Sequence, residues 1–139
     1  MYLDTSVLAA LYLPEPGSSA AAAAVGSRPP AISALIEVEF ASVVARRVRE
    51  RSISAQDAAN VLALFDTHLT ERRYRHLPVG AEAFVEARRM LRSGKVPLSA
   101  LDAMHLAIVA LHRQTLCTAD RQLARIAERL NLKTVLVRT

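Results

Sequence analysis

The chain has 139 residues, 52% of them hydrophobic, which is enough for one domain with a substantial core. Only 4% of the residues are aromatic and none is Trp, which argues against a protein that stacks nucleic-acid bases on an aromatic platform. The formal net charge is +5, and all but two of the 18 basic residues are Arg. This bias suits contacts with phosphate, and it equally fits a GC-rich genome.

A single cysteine, Cys117, excludes an internal disulfide framework. It lies in a short apolar run, so we expect a packed strand residue rather than a nucleophile. The sequence shows no signal segment and no apolar stretch long enough to span a bilayer. We therefore expect a cytoplasmic protein without membrane contact, organised as a single domain over residues 1–139.

The chain begins with a short apolar strand, Tyr2–Leu3, that ends in the carboxylate of Asp4. Thr5 or Ser6 can cap the helix that follows, because hydroxyl side chains are favoured at helix N-caps. For the same reason, a serine of the pair Ser18–Ser19 is expected to cap a short alanine-rich helix.

A second strand and two consecutive helices are predicted in the middle of the chain. The strand is Ala31–Ser33, and Ser33 is expected to cap a helix that runs to about Arg51 with apolar residues at helical spacing. Another helix begins near Ser54. Since no strand separates these two helices, we expect an αα-hairpin that stands off the sheet.

The second half of the chain alternates strands with helices. A third strand covers Arg75–Val79, where Pro78 indicates the end of the strand or an edge of the sheet. The remaining predicted elements are helices from Gly80, from Ala100 to Arg113 and from Asp120 to about Leu130, and strands at Thr115–Thr118 and Leu132–Val137. This order predicts the α/β class, as an α/β/α sandwich with a mostly parallel, roughly five-stranded sheet.

Three aspartates are placed where function collects in such a fold, near the carboxyl ends of parallel strands. Asp4 and Asp120 each follow a strand and precede a helix, so an ordinary N-cap is the alternative interpretation for both. Asp102 lies three residues after Ser99, which fits a capping box. However, its helix has almost no polar face and is expected to be buried, and a buried carboxylate needs a partner, a set of donors or a metal.

Other candidate residues are less well determined. Glu37 and Glu39 lie about 160° apart around their helix at about 100° per residue, and both flank its apolar stripe, so periodicity does not choose between them. His105 is either a functional residue or a hydrogen-bonded core histidine. Thr118 adds a hydroxyl at the end of the fourth strand.

A group of three or four carboxylates cannot stay ionised within a few ångströms unless protons or divalent cations compensate their charge. Mg²⁺ and Mn²⁺ prefer oxygen ligands, and two such ions about 4 Å apart can activate a water and stabilise the leaving oxygen of a phosphodiester. Arginine-rich runs could hold a polyanion over such a site, although each run alone is more simply a solvated helix face. These runs lie at 46–51, 72–75 and 88–95. Together these features predict a metal-dependent nuclease.

Four segments spread over the chain carry a resemblance to a known family. They are Tyr2-Leu3-Asp4-Thr5-Ser6 with Leu13-Pro14-Glu15-Pro16-Gly17, Ser33-Ala34-Leu35-Ile36-Glu37-Val38-Glu39, Leu101-Asp102-Ala103-Met104-His105-Leu106-Ala107, and Thr118-Ala119-Asp120-Arg121-Gln122-Leu123. As an ordered set they resemble the PIN-domain ribonucleases, in particular the VapC-type toxins of type II toxin–antitoxin systems.

The resemblance implies a Mg²⁺- or Mn²⁺-dependent endoribonuclease with an α/β/α sandwich and an RNA substrate. It assigns metal binding and orientation of the attacking water to Asp4, Glu39, Asp102 and Asp120. Glu37 is additional relative to the family pattern and leaves the second motif open. The supporting residues at the site are expected to be Thr5, Ser6, Thr118 and His105.

Members of this family are usually homodimers, and a small VapB-like antitoxin inhibits them by inserting a segment, often with a basic residue, into the acidic groove. The compact length of the chain favours this toxin branch. A PIN-like nuclease of RNA processing, outside toxin–antitoxin systems, is the nearest alternative.

Two further alternatives stay open. An Asp-dependent phosphatase or phosphoacceptor domain also places an Asp after its first strand. However, the phosphatases generally carry a second acid two residues later, where this chain has Ser6, and neither Lys95 nor Lys133 is well placed for a phosphoacceptor domain. The other alternative is a non-enzymatic RNA- or protein-binding module whose carboxylates are helix caps.

Overall fold

The computed structural model describes residues 1–138 and is built around a sheet of five strands. These are β1 (Tyr2–Leu3), β2 (Ala31–Ser33), β3 (Arg75–Leu77), β4 (Leu116–Thr118) and β5 (Thr134–Leu136). Their order across the sheet is β3-β2-β1-β4-β5, and every neighbouring pair is parallel. The predicted α/β class and five-stranded sheet are confirmed, with all of the strands parallel rather than most of them.

Seven helices connect the strands within the described residues. They are α1 (Thr5–Tyr12), α2 (Ser18–Val25), α3 (Ala34–Arg49), α4 (Ala55–Thr70), α5 (Ala81–Ser93), α6 (Ala100–Leu111) and α7 (Arg121–Arg129). Crossovers between parallel strands are almost always right-handed, so α1–α4 lie on one face of the sheet and α5–α7 on the other. No helix within residues 1–138 is long and apolar enough to cross a membrane.

The centre of the sheet is also the centre of the core. Tyr2 and Leu3 of β1 are fully buried, because β1 has a neighbouring strand on each side and helices over both faces. Cys117 of β4 is also fully buried, which confirms the expectation of a packed strand residue. The carboxyl end of β1 therefore lies in the middle of the row formed by the carboxyl ends of the five strands.

Helices α3 and α4 pack into the core, so the expectation of a hairpin standing off the sheet is wrong. Phe65 of α4 contacts Phe40 of α3 edge to face, with 5.1 Å between ring centroids, and Tyr12 of α1 at 5.4 Å. Burial of these rings holds α4 against α1 and α3. The order of elements in the sequence, two helices with no strand between them, does not indicate this packing.

Asp4 caps α1, and the expected cap by Thr5 or Ser6 is wrong. The Asp4 carboxylate accepts a hydrogen bond from the Val7 backbone N–H at 3.1 Å, while Thr5 is already the first helical residue. Asp4, the residue that joins β1 to α1, therefore also stabilises the first turn of this helix.

Two other predicted caps are wrong because their hydroxyls have different partners. Ser33 occupies the N-cap position of α3 without a capping bond, and its Oγ bonds the Tyr2 hydroxyl at 2.9 Å. Gly17 is the N-cap of α2, while the Ser18 hydroxyl donates to the Glu15 carbonyl at 2.8 Å.

Helix α3 and strand β3 both end earlier in the chain than predicted. Helix α3 ends at Arg49, two residues before the expected Arg51, which lies in the left-handed region with φ 57°. Strand β3 ends at Leu77 and lies at the edge of the sheet, so both positions indicated by Pro78 are observed.

Candidate active site

The Asp4 carboxylate lies at the carboxyl end of the central strand and is 4% exposed. Its Oδ2 accepts a hydrogen bond from Thr118 Oγ1 at 2.5 Å. Its Oδ1 accepts from Ser6 Oγ at 2.6 Å and from the Val7 backbone N–H at 3.1 Å. Asp4 thus joins β1 to the first turn of α1 and to the end of β4.

Burial raises the pKa of Asp4, because a carboxylate loses its hydration in the interior. The bonds from Ser6, Thr118 and Val7 act in the opposite direction without cancelling this effect. The site therefore holds Asp4 in a fixed position but leaves its negative charge costly. A nearby cation relieves such a cost.

Asp120 is exposed and caps α7, as the N-cap interpretation predicts. Its Oδ1 accepts hydrogen bonds from the backbone N–H groups of Gln122 at 2.7 Å and Leu123 at 3.0 Å. Its own N–H donates to Thr118 Oγ1 at 2.9 Å. Because Thr118 also donates to Asp4, one hydroxyl connects two of the predicted metal ligands.

Glu39 is the end of a chain of hydrogen bonds that runs through the core. Its Oε2 accepts from Thr5 Oγ1 at 2.6 Å and from His105 Nε2. With the His105 proton on Nε2, Tyr2 donates to Nδ1 at 3.1 Å and accepts from Ser33 at 2.9 Å. His105 is only 3% exposed, so it is a hydrogen-bonded core histidine that positions Glu39.

Burial by itself raises the pKa of Glu39, but the bonds from His105 and Thr5 outweigh it and lower the pKa. Glu39 is consequently ionised at neutral pH. Glu37 lies elsewhere, since its carboxylate pairs with His76 of the edge strand β3. The structure therefore separates the two glutamates that helical periodicity did not.

Asp102 is half-buried, so the expectation of a buried carboxylate is wrong. Its backbone N–H donates to Ser99 Oγ at 3.1 Å, which is the capping bond predicted for this turn. Leu101 beside it is 49% exposed, and continuous burial on α6 begins only beyond this first turn. The apolar pattern of α6 extends past its buried part, so the pattern alone does not show where burial begins.

A groove of ≈ 450 Å³ runs along this edge of the sheet, and we call it the strand-end groove. Four acid-bearing segments contribute to its lining, through Thr5 and Ser6 after Asp4, Glu39 itself, Leu101 before Asp102, and Ala119 before Asp120. Further lining comes from Ala9, Glu15, Ser42, Val43, Arg46 and Arg47. Of the four predicted acids, only Glu39 lies in the wall of the groove, while Asp4, Asp102 and Asp120 are each next in sequence to a residue that lines it.

The side chains do not form a ready-made metal cage, since residues 1–138 contain no group of three His, Cys, Asp or Glu positioned around one ion. The donor chemistry nevertheless fits a hard cation. Mg²⁺ is usually held by one or two carboxylates, with water and substrate phosphate completing its shell. Glu39 is ionised, and the side chain of Asp102 and Oδ2 of Asp120 have no hydrogen bond within the described residues.

Sequence reasoning missed Tyr2 and Ser33, which position His105 and through it Glu39. One signal was available. A tyrosine in the central strand of a sheet must be buried, and a buried phenol hydroxyl needs a polar partner. Its partners are 31 and 103 positions away in the chain, so local patterns do not identify them.

Comparison with known proteins supplies independent information. A family model described as PIN domain matches residues 1–129. A comparison with curated proteins finds no significant match.

Among solved structures, FitAcB from Neisseria gonorrhoeae is 17% identical, with a TM-score of 0.69 over 96% of this chain and 94% of that chain. VapC20 from Mycobacterium tuberculosis, described as a sarcin-ricin loop cleaving toxin, is 19% identical, with a TM-score of 0.67 over 90% and 93%. VapBC2 from Rickettsia felis, bound to a promoter DNA fragment, is 16% identical, with a TM-score of 0.68 over 97% and 96%. At these identities the structures establish a shared fold.

Proposed function

The chain belongs to the PIN domain family, and on this basis we propose that it is an endoribonuclease that uses Mg²⁺ or Mn²⁺ to hydrolyse RNA phosphodiester bonds. The observation that carries the proposal is the strand-end groove. Segments holding Asp4, Glu39, Asp102 and Asp120 reach it from four separate parts of the chain.

In this proposal Glu39, Asp102 and Asp120 would hold the divalent cation, and the buried Asp4 would complete the set of carboxylates. A divalent cation held by these residues would supply an activated water and neutralise charge on the phosphate. Asp4 is held by its hydrogen bonds from Ser6 and Thr118, while His105 fixes the orientation of Glu39. These supporting contacts keep the carboxylates in a fixed orientation. The proposed mechanism requires no covalent intermediate with the protein.

One part of the strand-end groove provides positive charge for a polyanion. Arg46 and Arg47 line it, on the last turns of α3, and Arg47 is paired with Glu15. Arg46 is exposed and has no ion pair within residues 1–138, so it is free to contact a phosphate. An RNA strand lying in the groove would meet both the acidic segments and this guanidinium group.

We also propose that the protein is the toxin of a toxin–antitoxin pair, acts as a homodimer and is inhibited by a VapB-like antitoxin. Support comes from the structural neighbours, which include VapC20, VapBC2 and FitAcB. A gene for a small protein directly upstream, whose product stops RNA cleavage on mixing, is the expected finding. RNA cleavage without any such inhibitor would instead favour an RNA-processing nuclease.

The decisive experiment compares two glutamates two residues apart on α3. Purified wild type, Glu39→Gln and Glu37→Gln are incubated with total RNA, with and without Mn²⁺. We expect Glu39→Gln to lose about 100-fold or more of the activity, as removal of one electrostatic contact to a reacting group does. Glu37→Gln should stay close to wild type, because Glu37 faces His76 at the sheet edge.

Asp4→Asn and Asp102→Asn should abolish cleavage while circular dichroism shows a folded chain, and excess chelator should stop the wild-type reaction. Full activity in both purified Asp variants would remove the proposal, and activity in chelator would remove the metal. Release of phosphate from p-nitrophenyl phosphate, without RNA cleavage, would favour an Asp-dependent phosphatase.

A further inference from the structure

A second cavity lies at the same edge of the sheet, on the side of the edge strand β5. It has a volume of ≈ 390 Å³ and is formed by α7 and the residues around the end of β5. Three arginines line it, Arg121, Arg125 and Arg138, and we call it the arginine cleft. The rest of its wall consists of Ala124, Glu128 and Leu136.

The three guanidinium groups of the arginine cleft outnumber its one carboxylate, that of Glu128. None of them is in an ion pair or a side-chain hydrogen bond within residues 1–138, and Glu128 is not paired with them either. Arg121 and Arg125 are one turn apart, an arrangement in which like charges repel. A cleft of this composition favours an anion.

The position of these arginines on the helix adds to the cost. Arg121 is the first residue of α7 and Arg125 follows one turn later, and the first turn contains no acidic residue. The positive end of the helix dipole disfavours cations there and favours anions. The Asp120 carboxylate, which caps the same helix end, offsets part of this cost but belongs to the proposed metal site.

The arginine cleft borders the proposed catalytic centre. Ala119 lines the strand-end groove and Arg121 lines the arginine cleft, and Asp120 stands between them. Leu136, at the end of β5, is paired in register with Thr118 of β4, which donates to Asp4. A chain that leaves the groove across Asp120 therefore meets the three guanidinium groups next.

We propose that the arginine cleft binds backbone phosphates of single-stranded RNA on one side of the scissile bond. This inference rests on the proposed ribonuclease function. The guanidinium fork matches two phosphate oxygens, whereas bases need stacking surfaces or groove contacts that the cleft lacks. The arginines consequently set affinity and register, and leave sequence choice to other residues.

The test measures binding separately from cleavage. A fluorescein-labelled 12-nucleotide RNA is titrated with protein in chelator, at several NaCl concentrations, and its integrity is checked on a denaturing gel. We expect Arg121→Gln/Arg125→Gln to weaken binding about 10-fold at 0.1 M salt and to reduce the salt slope by about 1.4, at about 0.7 per phosphate contact. Gln keeps a similar length and helix propensity.

A control that also removes two positive charges comes from Arg28 and Lys133, which precede β2 and β5 at the opposite edge of the sheet. Both are exposed and have no ion pair within the described part of the chain. Arg28→Gln/Lys133→Gln should bind like wild type. Equal losses in both double variants would show attraction by net charge alone and overturn the proposal. A poly-glutamate peptide that binds as tightly as RNA, through the same two arginines, would also overturn it.

Cleavage kinetics distinguish failure of this inference from failure of the proposed function. Under turnover with Mn²⁺, Arg121→Gln/Arg125→Gln should raise KM about 10-fold with kcat nearly unchanged, since the arginines do not contact the reacting atoms. Arginine-dependent binding without cleavage by wild type would refute the nuclease and leave the phosphate site standing. If both cleavage and binding are unchanged by the two substitutions, the phosphate site is refuted and the proposed nuclease function is not affected.

Discussion

Removal of the Tyr2 hydroxyl tests whether the buried hydrogen-bond chain holds the site together. Tyr2→Phe keeps the fully buried ring and therefore leaves no cavity. It leaves Ser33 Oγ and His105 Nδ1, which lie 2.9 and 3.1 Å from the hydroxyl, without this partner. The substitution thus isolates the polar contribution of Tyr2 from its packing.

The expected loss follows from the two groups left behind. An unsatisfied buried polar group costs about 1–3 kcal/mol, so two of them cost about 2–4 kcal/mol, with Ser33 at the low end because its hydroxyl can rotate. For a chain of this size about 1 kcal/mol shifts the melting temperature by about 3 °C, which predicts a decrease of about 6–12 °C.

Urea unfolding followed by circular dichroism measures this loss, with Tyr74→Phe as the matched control. Within residues 1–138 the Tyr74 hydroxyl is bonded only to the Tyr12 hydroxyl, and it is half-buried, where water can replace this partner. We therefore expect a loss of about 1 kcal/mol or less. Adding Ser33→Ala to Tyr2→Phe should recover about 1 kcal/mol as coupling energy. A loss below about 0.5 kcal/mol for Tyr2→Phe, the scatter of neutral surface changes, would refute the reasoning.

Three further predictions concern titration and backbone strain. Burial raises the pKa of all three tyrosines, Tyr2, Tyr12 and Tyr74, so the unfolded chain releases these protons first and stability falls as pH rises above about 10. Absorbance at 295 nm should show native tyrosinate only well above pH 10, and a normal midpoint would contradict this. Burial, assisted by the Asp4 charge, raises the pKa of Cys117 to about 11, so iodoacetamide at pH 8 should leave native protein unmodified and label it in urea. Rapid native labelling would contradict a closed core. Arg113 has a φ of 51° after α6, and Arg113→Gly should stabilise the chain by about 0.5–1 kcal/mol in urea, whereas destabilisation would show that its side chain matters.

Elements whose ends carry a polar residue after an apolar pair were predictable from sequence. Strand β1 with Asp4 and strand β4 with Thr118 lie where the pattern placed them. Such positions depend on local alternation and on the parallel sheet, which brings strand ends to one edge. Much of the candidate site is located by this rule alone.

Features that depend on distant partners were not predictable. The Ser33 hydroxyl was expected to cap its own helix, but it meets Tyr2 across the sheet. Asp102 was expected to be buried, because apolar periodicity does not show where a helix emerges from the core. The arginine cleft was missed because Arg138 joins Arg121 and Arg125 only through the packing of β5 against α7.

The strand order has a consequence for synthesis. Strand β1 lies between β2 and β4, and its residue Tyr2 pairs with Leu116, so the middle of the sheet cannot close until most of the chain has been made. Contacts between such distant segments form late in folding, and chains emerge from the ribosome amino end first. Asp4 gains its Thr118 partner only in the final stage. Under the proposed function, a nascent chain on the ribosome would therefore lack the assembled centre needed to cleave the surrounding RNA.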